Sequence, residues 1–174
     1  MFNELNTLRI FFDEPTREFS VRETSRILKI SPATASMHLK EISNNGILSA
    51  RKERMLMLYK SNLENDLYKD IKLFYNMRRI KESGLVDKLN KFYLKPTIIF
   101  FGSGASGMDT ETSDFDIVII SEKTSKISNL EAIEKKLKRK VQIFAVKNIK
   151  ELKNNHLINN ILNGITLQGG IKWI

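Results

Sequence analysis

The sequence predicts an α+β protein in two parts, and three observations predict it. Helical spacing with clear start and stop signals fills the front, and two short apolar runs around a basic turn follow it. Further on, the buried-looking run TIIFF empties into a glycine-rich turn. Ten residues after the Gly-Ser of that turn, two aspartates alternate with apolar residues at the head of SDFDIVII.

At 174 residues the chain has room for one domain or two small ones with modest cores. Apolar residues make up 41% and charged residues 28%, the balance of a soluble globular protein and not of a disordered one. No run approaches the ~20 apolar residues of a membrane span, so no membrane partner is expected. The opening MFNELNTLRIFFDE carries acids where a signal peptide carries bases. The lack of cysteine excludes disulfides and thiolate metal sites and suits a reducing compartment, so a cytoplasmic location is expected. The net charge of +9 favours a polyanionic partner, although lysine-rich solvated helices give the same total. Its placement says more: residues 20–60 hold 8 bases against 3 acids.

Leu5, Leu8, Phe11 and Phe12 recur at helical spacing, and Asp13-Glu14-Pro15 stops that helix. In EFSVRETSRILKIS, Ser20 and Glu23 form the S-x-x-E pattern of a capping box, with Val21, Thr24, Ile27 and Leu28 as the apolar face. That helix ends near Lys29-Ile30. Ser31-Pro32 opens another at once, serine as N-cap and proline in the first turn. The new helix buries Ala35, Leu39 and Ile42 and turns Thr34, Ser36, Met37 and Lys40 outward. His38 reads as a packing residue, because no second ligand lies at helical spacing from it. Gly46 ends the helix, and Ile47-Leu48 lead into a hairpin of LSAR, a tight KER turn and MLMLYK.

Two helices joined by a short turn and followed by a basic-tipped hairpin make a helix-turn-helix with a wing. The run SPATASMHLKEISNNGILSARKER resembles the winged helix-turn-helix domains of prokaryotic transcription regulators, over about residues 2–62. The resemblance implies a domain at 1–62 that binds double-stranded DNA and regulates transcription. Ser31, Thr34, Ser36, Met37 and Lys40 would approach the major groove. Arg51, Lys52 and Arg54, at the wing tip, would meet an adjacent groove or backbone and add affinity more than sequence choice. Winged helices also serve as protein-docking or dimerisation modules.

Leu63, Leu67, Ile71 and Phe74 repeat every three to four residues, which predicts an amphipathic linker helix over 63–84 that ends at Ser83-Gly84. Pairing with a twin would set two recognition helices on a pseudo-palindromic site, so a homodimer is expected. The other use of such a stripe is packing on its own chain.

The last part, 85–174, begins with a short helix whose face is Leu85, Val86, Leu89 and Phe92. TIIFF follows as a buried strand and runs into Gly102-Ser103-Gly104-Ala105-Ser106-Gly107. Glycines there permit turn angles closed to other residues and let a phosphate approach backbone amides. No Gly-Lys-Ser/Thr follows, so this is not a Walker loop, and the next strand comes too soon for a dinucleotide fingerprint. Side chains alternate along a strand, so Asp114 and Asp116 share one face, about 7 Å apart, and Phe115 and Ile117 take the other. Two such carboxylates can hold Mg²⁺ and with it a triphosphate; a strand headed by solvated acids is the plainer alternative. A helix over Leu130–Lys138, the strand VQIFAV, a helix over Ile149–Leu162 and NGITLQGG complete the order, with His156 facing solvent.

Gly-Ser, ten residues, then Asp-apolar-Asp-apolar resembles the nucleotidyltransferase superfamily that includes DNA polymerase β, in its minimal prokaryotic form, over roughly Leu85 to Gly170. The resemblance implies a mixed sheet with flanking helices. It implies NTP binding at Gly102 and Ser103, and Mg²⁺ held by Asp114 and Asp116, the catalytic pair if transfer occurs. It also implies a partner toxin protein, since minimal transferases of this kind are often paired with one. Two residues depart from the pattern. Gln142 stands where the family has a third carboxylate, and Ser106 stands where its glycine turn commonly carries Arg. Glutamine has no charge to hold a second ion or take a proton. Glu111 and Glu122 are the nearest substitutes, and neither sits on that strand. The leading expectation is a DNA-binding regulator whose second domain transfers weakly or not at all. The rival is an active Mg²⁺-dependent transferase moving NMP onto a protein or nucleic-acid acceptor, as an antitoxin in one version.

Overall fold

The computed structural model describes residues 2–170, with side chains from residue 6 onward, so the side chain of Leu5 lies outside the described residues. The chain divides into two compact units, Met1–Lys72 and Leu73–Ile174.

The first unit runs α1 (Phe2–Asp13), β1 (Phe19–Ser20), α2 (Val21–Leu28), α3 (Pro32–Asn44), β2 (Leu48–Glu53) and β3 (Leu56–Ser61). Its sheet has the order β1-β3-β2, antiparallel throughout. β1 escapes any periodicity argument because it is only two residues long; it forms because Phe19 and Ser20 pair with Tyr59 and Leu58. The core gathers Leu8, Phe11, Phe12, Phe19, Leu39 and Tyr59, with the Phe11 and Phe19 rings edge to face at 5.1 Å. The carbonyl of Phe11, left without an intrahelical partner at the end of α1, accepts from Ser61 Oγ at 2.9 Å and Tyr68 OH at 3.3 Å.

Three local expectations change. Only half of the capping box closes: Ser20 Oγ accepts from Glu23 N at 3.2 Å, while the Glu23 carboxylate takes the Arg17 guanidinium. The buried face of α2 is Thr24, Ser25 and Leu28, and Ile27 is exposed. The hairpin turns at Arg54-Met55 and not at Lys52-Glu53-Arg54, because β2 and β3 stay in register as far as Glu53 and Leu56.

α4 (Asp66–Glu82) buries Tyr68, Lys72, Asn76 and Ile80, four residues apart along one row. The buried row is not the apolar stripe read from the spacing, of which Leu67 (49%) and Phe74 (58%) are exposed. The row that packs within the chain does not follow hydrophobic spacing because polar heads can be buried once partnered. The Asn76 amide is hydrogen-bonded twice, and the Lys72 ammonium lies 5.8 Å from the Tyr68 ring centre.

The second unit continues with α5 (Leu85–Tyr93), β4 (Thr97–Phe101), β5 (Phe115–Ile120), α6 (Glu131–Leu137), β6 (Val141–Val146), α7 (Asn155–Leu162) and β7 (Ile165–Gln168). Its mixed sheet has the order β6-β5-β4-β7; β5 and β6 are parallel, the other pairs antiparallel. Ile98, Phe100, Phe115, Ile117 and Ile119 face one core with Leu85, Leu89 and Leu137. Ile99, Phe101 and Val118 face a second with Ile149 and Ile161. The helix expected over Ile149–Leu162 is broken into a short 3-10 turn, Ile149–Glu151, and α7. Asn148 and Asn154 each cap the backbone behind them, and Leu152 is extended between the two starts. No helix among the described residues is long and apolar enough to cross a membrane.

Candidate functional site

β4 ends at Phe101 and the chain turns immediately. Gly102 adopts φ of +76°, and a Cβ there would lie 2.5 Å from Asp116 Oδ2. Glycine is therefore required twice, for the backbone angle and for the carboxylate packed against its α-carbon. Ser103–Ser106 form one 3-10 turn, closed by Gly107, whose N–H donates to the Ser103 carbonyl. Gly104 sits under two rings: a Cβ would meet Phe100 Cζ at 2.6 Å and Phe115 Cδ1 at 3.0 Å.

Hydroxyl groups build the approach to β5. Thr110 N donates to Ser113 Oγ at 2.9 Å, and Ser113 N donates to the Thr110 carbonyl at 3.1 Å. This tight turn delivers Asp114, exposed, just ahead of the strand. Asp116 follows inside β5, in register with Phe101 of β4 on one side and Gln142 of β6 on the other. The strand period puts both aspartates on the face of Val118, opposite the buried Phe115 and Ile117. Neither carboxylate is hydrogen-bonded or ion-paired to any described residue, nor is the Ser103 hydroxyl hydrogen-bonded to one. Burial first, and the Asp114 charge second, push the Asp116 carboxyl above the usual carboxylate range.

Like-charged carboxylates with no protein partner suit a hard cation, which would relieve their repulsion with oxygen ligands. They suit one ion better than two. Gln142 stands beside Asp116 with an uncharged amide, and no group of three or more His, Cys, Asp or Glu among the described residues could hold a metal. Ser106, at the other departure, donates its hydroxyl to the Ser103 carbonyl at 3.0 Å. Glu111 lines an open cleft with Asp114, Lys138 and Lys140.

Sequence reasoning missed what stands behind the glycine turn. Asp109 is 1% exposed, and its Oδ1 accepts from Asn76 Nδ2 at 2.7 Å. The same Asn76 amide donates to the Gly104 carbonyl at 3.0 Å, and Arg139, also buried, reaches Asp109 Oδ2 at 3.5 Å. α4, the turn and the head of β6 are thus tied at one point within the second unit. Lys138 and Lys140, bases beside Asp114, were missed as well; they precede β6 in sequence and give no local signal.

In the first unit, Ser31 caps α3: its Oγ accepts from Thr34 N at 3.0 Å and lies 2.8 Å from Thr34 Oγ1. Both hydroxyls are thereby engaged. Ser36 is half-buried, while Met37 (59%) and Lys40 are exposed. His38 is buried with Nδ1 2.9 Å from Thr7 Oγ1. Of the three bases expected at the wing tip, Arg54 alone is in the turn. Lys52 is exposed on β2. Arg51 is held by Glu18, 2.6 Å from each carboxylate oxygen, and by Glu53 at 2.6 Å. That hydrogen-bonded guanidinium lowers the Glu18 carboxyl below its usual range.

No curated protein and no solved structure matches the chain. Residues 82–167, from the end of α4 into β7, match the family described as nucleotidyltransferase domain, and the chain therefore carries a nucleotidyltransferase-like domain.

Proposed function

We propose that the protein is a DNA-binding regulator in which a winged helix-turn-helix unit precedes a nucleotide-binding, weakly transferring or inactive nucleotidyltransferase-like domain. The observation that carries the DNA-binding half is α3, capped by Ser31, burying Ala35, His38, Leu39 and Ile42 while Met37 and Lys40 stay exposed. The element order supports it, with a hairpin behind the two helices. Backbone contacts fall to Lys40, Lys52 and Arg54, since Arg51 is engaged by two acids. Exposed Leu67 and Phe74 on α4 support pairing with a second copy.

Fluorescence anisotropy on a random-sequence duplex at several salt concentrations tests this. Lys52→Ala with Arg54→Ala should weaken binding about tenfold and lower the salt slope by about 1–2. Arg51→Ala should change affinity by no more than about twofold. Absence of salt-dependent binding would end the reading.

Nucleotidyltransferase domains generally use a divalent metal such as Mg²⁺. The unpartnered Asp114 and Asp116, with Gly102 and Ser103 opposite, support Mg²⁺-dependent NTP binding here. Gln142 in register with Asp116 supports a loss of transfer. Calorimetry with Mg²⁺ and each NTP, wild type beside the double variant Asp114→Ala, Asp116→Ala, should show binding that the variant lacks. Radiolabel transfer to protein or nucleic acid on the same samples would favour the rival enzyme reading.

A further inference from the structure

We infer that the outer edge of β6 is a docking strand for an extended, acid-flanked segment of a partner protein. β6 is the terminal strand of its sheet. Phe115 N donates to the Lys140 carbonyl at 2.9 Å and Ser121 N to the Val146 carbonyl at 3.0 Å, which fixes the parity of the parallel ladder. By that alternation the backbone groups of Val141, Ile143 and Ala145 face away from β5. Two outward amides are already taken by side chains: Val141 N by Glu134 at 3.0 Å and Lys147 N by Glu151 at 3.2 Å. Between them the N–H groups of Ile143 and Ala145, and the carbonyls of Val141, Ile143 and Ala145, have no partner among the described residues.

Exposed edges are normally blunted by a charge, a proline or a bulge. VQIFAV has none of these, and its register with β5 is unbroken from Val141 to Val146. Beside it runs a groove floored by Tyr93, Ile127, Leu130 and Ile143, apolar ground for alternate side chains of an added strand. The spacing of free donors and acceptors specifies a strand as occupant.

Charge specifies which strand. Lys126 stands on the groove, Lys138 and Lys140 precede β6, and Lys147 follows it; these four bases outnumber Glu134 and Glu151, which keep their charge while accepting from the Val141 and Lys147 amides. A second copy would bring the same lysines and a further net charge of +9, whereas acidic flanks would be attracted. Because β6 also carries Gln142, the docked segment would lie next to the carboxylate site.

The synthetic peptide DDTVTVTDD, the same peptide with Lys in place of Asp, and a version N-methylated through its centre would be titrated against the full chain by calorimetry. The acidic peptide should bind at least about tenfold tighter than either control. Binding should slow amide exchange at Ile143 and Ala145. Ile143→Pro deletes an outward donor at a place where edge strands tolerate proline, and with it a side chain packed against the core, so it should abolish binding at some cost in melting temperature. Ile143→Ala loses the same packing but keeps the donor, and should still bind the acidic peptide. Lys126→Glu with Lys140→Glu leaves the strand's own residues intact and should reverse the preference toward the Lys-flanked peptide. No binding at about 1 mM, or equal binding of both charge forms, would overturn the proposal. So would self-association in sedimentation that Ile143→Pro abolishes, because the occupant would then be a second copy.

Discussion

Asp109 and Asp116 lie on opposite sides of one glycine turn and have been given opposite treatment. Asp109, behind it, is buried and neutralised within the protein by Arg139 and the Asn76 amide. Asp116, in front, is half-buried beside Asp114, with no base or donor from the described residues. Sealing a charge with its counter-charge makes an anchor. Leaving one partly desolvated beside its like leaves it for an outside cation. The difference separates structural acids from candidate functional ones more surely than their spacing in the sequence does.

The comparison breaks most violently if the anchor loses its counter-charge. Arg139→Ala would leave Asp109 buried and uncompensated, and should cost about 3–5 kcal/mol in urea denaturation. Replacing both partners together, Asp109→Leu with Arg139→Met, should cost distinctly less, since neither charge would remain inside. A cost below about 1 kcal/mol for Arg139→Ala would mean that the ion pair does not hold the turn.

The front can be sharpened by adding the missing acid. Gln142→Asp places a third carboxylate in register with Asp116. Mg²⁺-dependent NTP binding should tighten about tenfold, or ~1.4 kcal/mol, by calorimetry. Unchanged binding would show that β6 does not face the bound metal.

Most of the secondary structure was legible because its causes are local: Ser31-Pro32 starts α3, Gly46 stops it, and TIIFF has few alternatives to a buried strand. The carboxylate pair was legible for the same reason, since strand alternation alone sets Asp114 and Asp116 on one face. What escaped depends on partners distant in sequence. Asp109, in GMDTETSDFD, looks like any surface acid until Arg139 arrives thirty residues later. Arg51 reads as a free base until Glu18 folds against it from a different element. Asn76 and Lys72 contradict the apolar stripe of α4 because burial followed the partners of their polar heads, and no periodicity encodes those.

The subtlest test removes the front charge without changing its shape. Burial and the Asp114 charge both disfavour ionised Asp116, so its carboxyl is raised in the folded state relative to the unfolded chain. The folded state then holds a proton to higher pH than the unfolded one, and the wild type loses stability as pH rises from the unfolded value, about 3.9, through the folded one. Asp116→Asn escapes that loss. At neutral pH it should be the more stable protein, with the gap closing as pH falls to the unfolded carboxylate value. Saturating Mg²⁺ should raise the wild-type denaturation midpoint and leave that of the variant unmoved. A variant less stable than wild type at neutral pH would mean that the carboxylate is already satisfied inside the fold. The contrast with Asp109 would then fail.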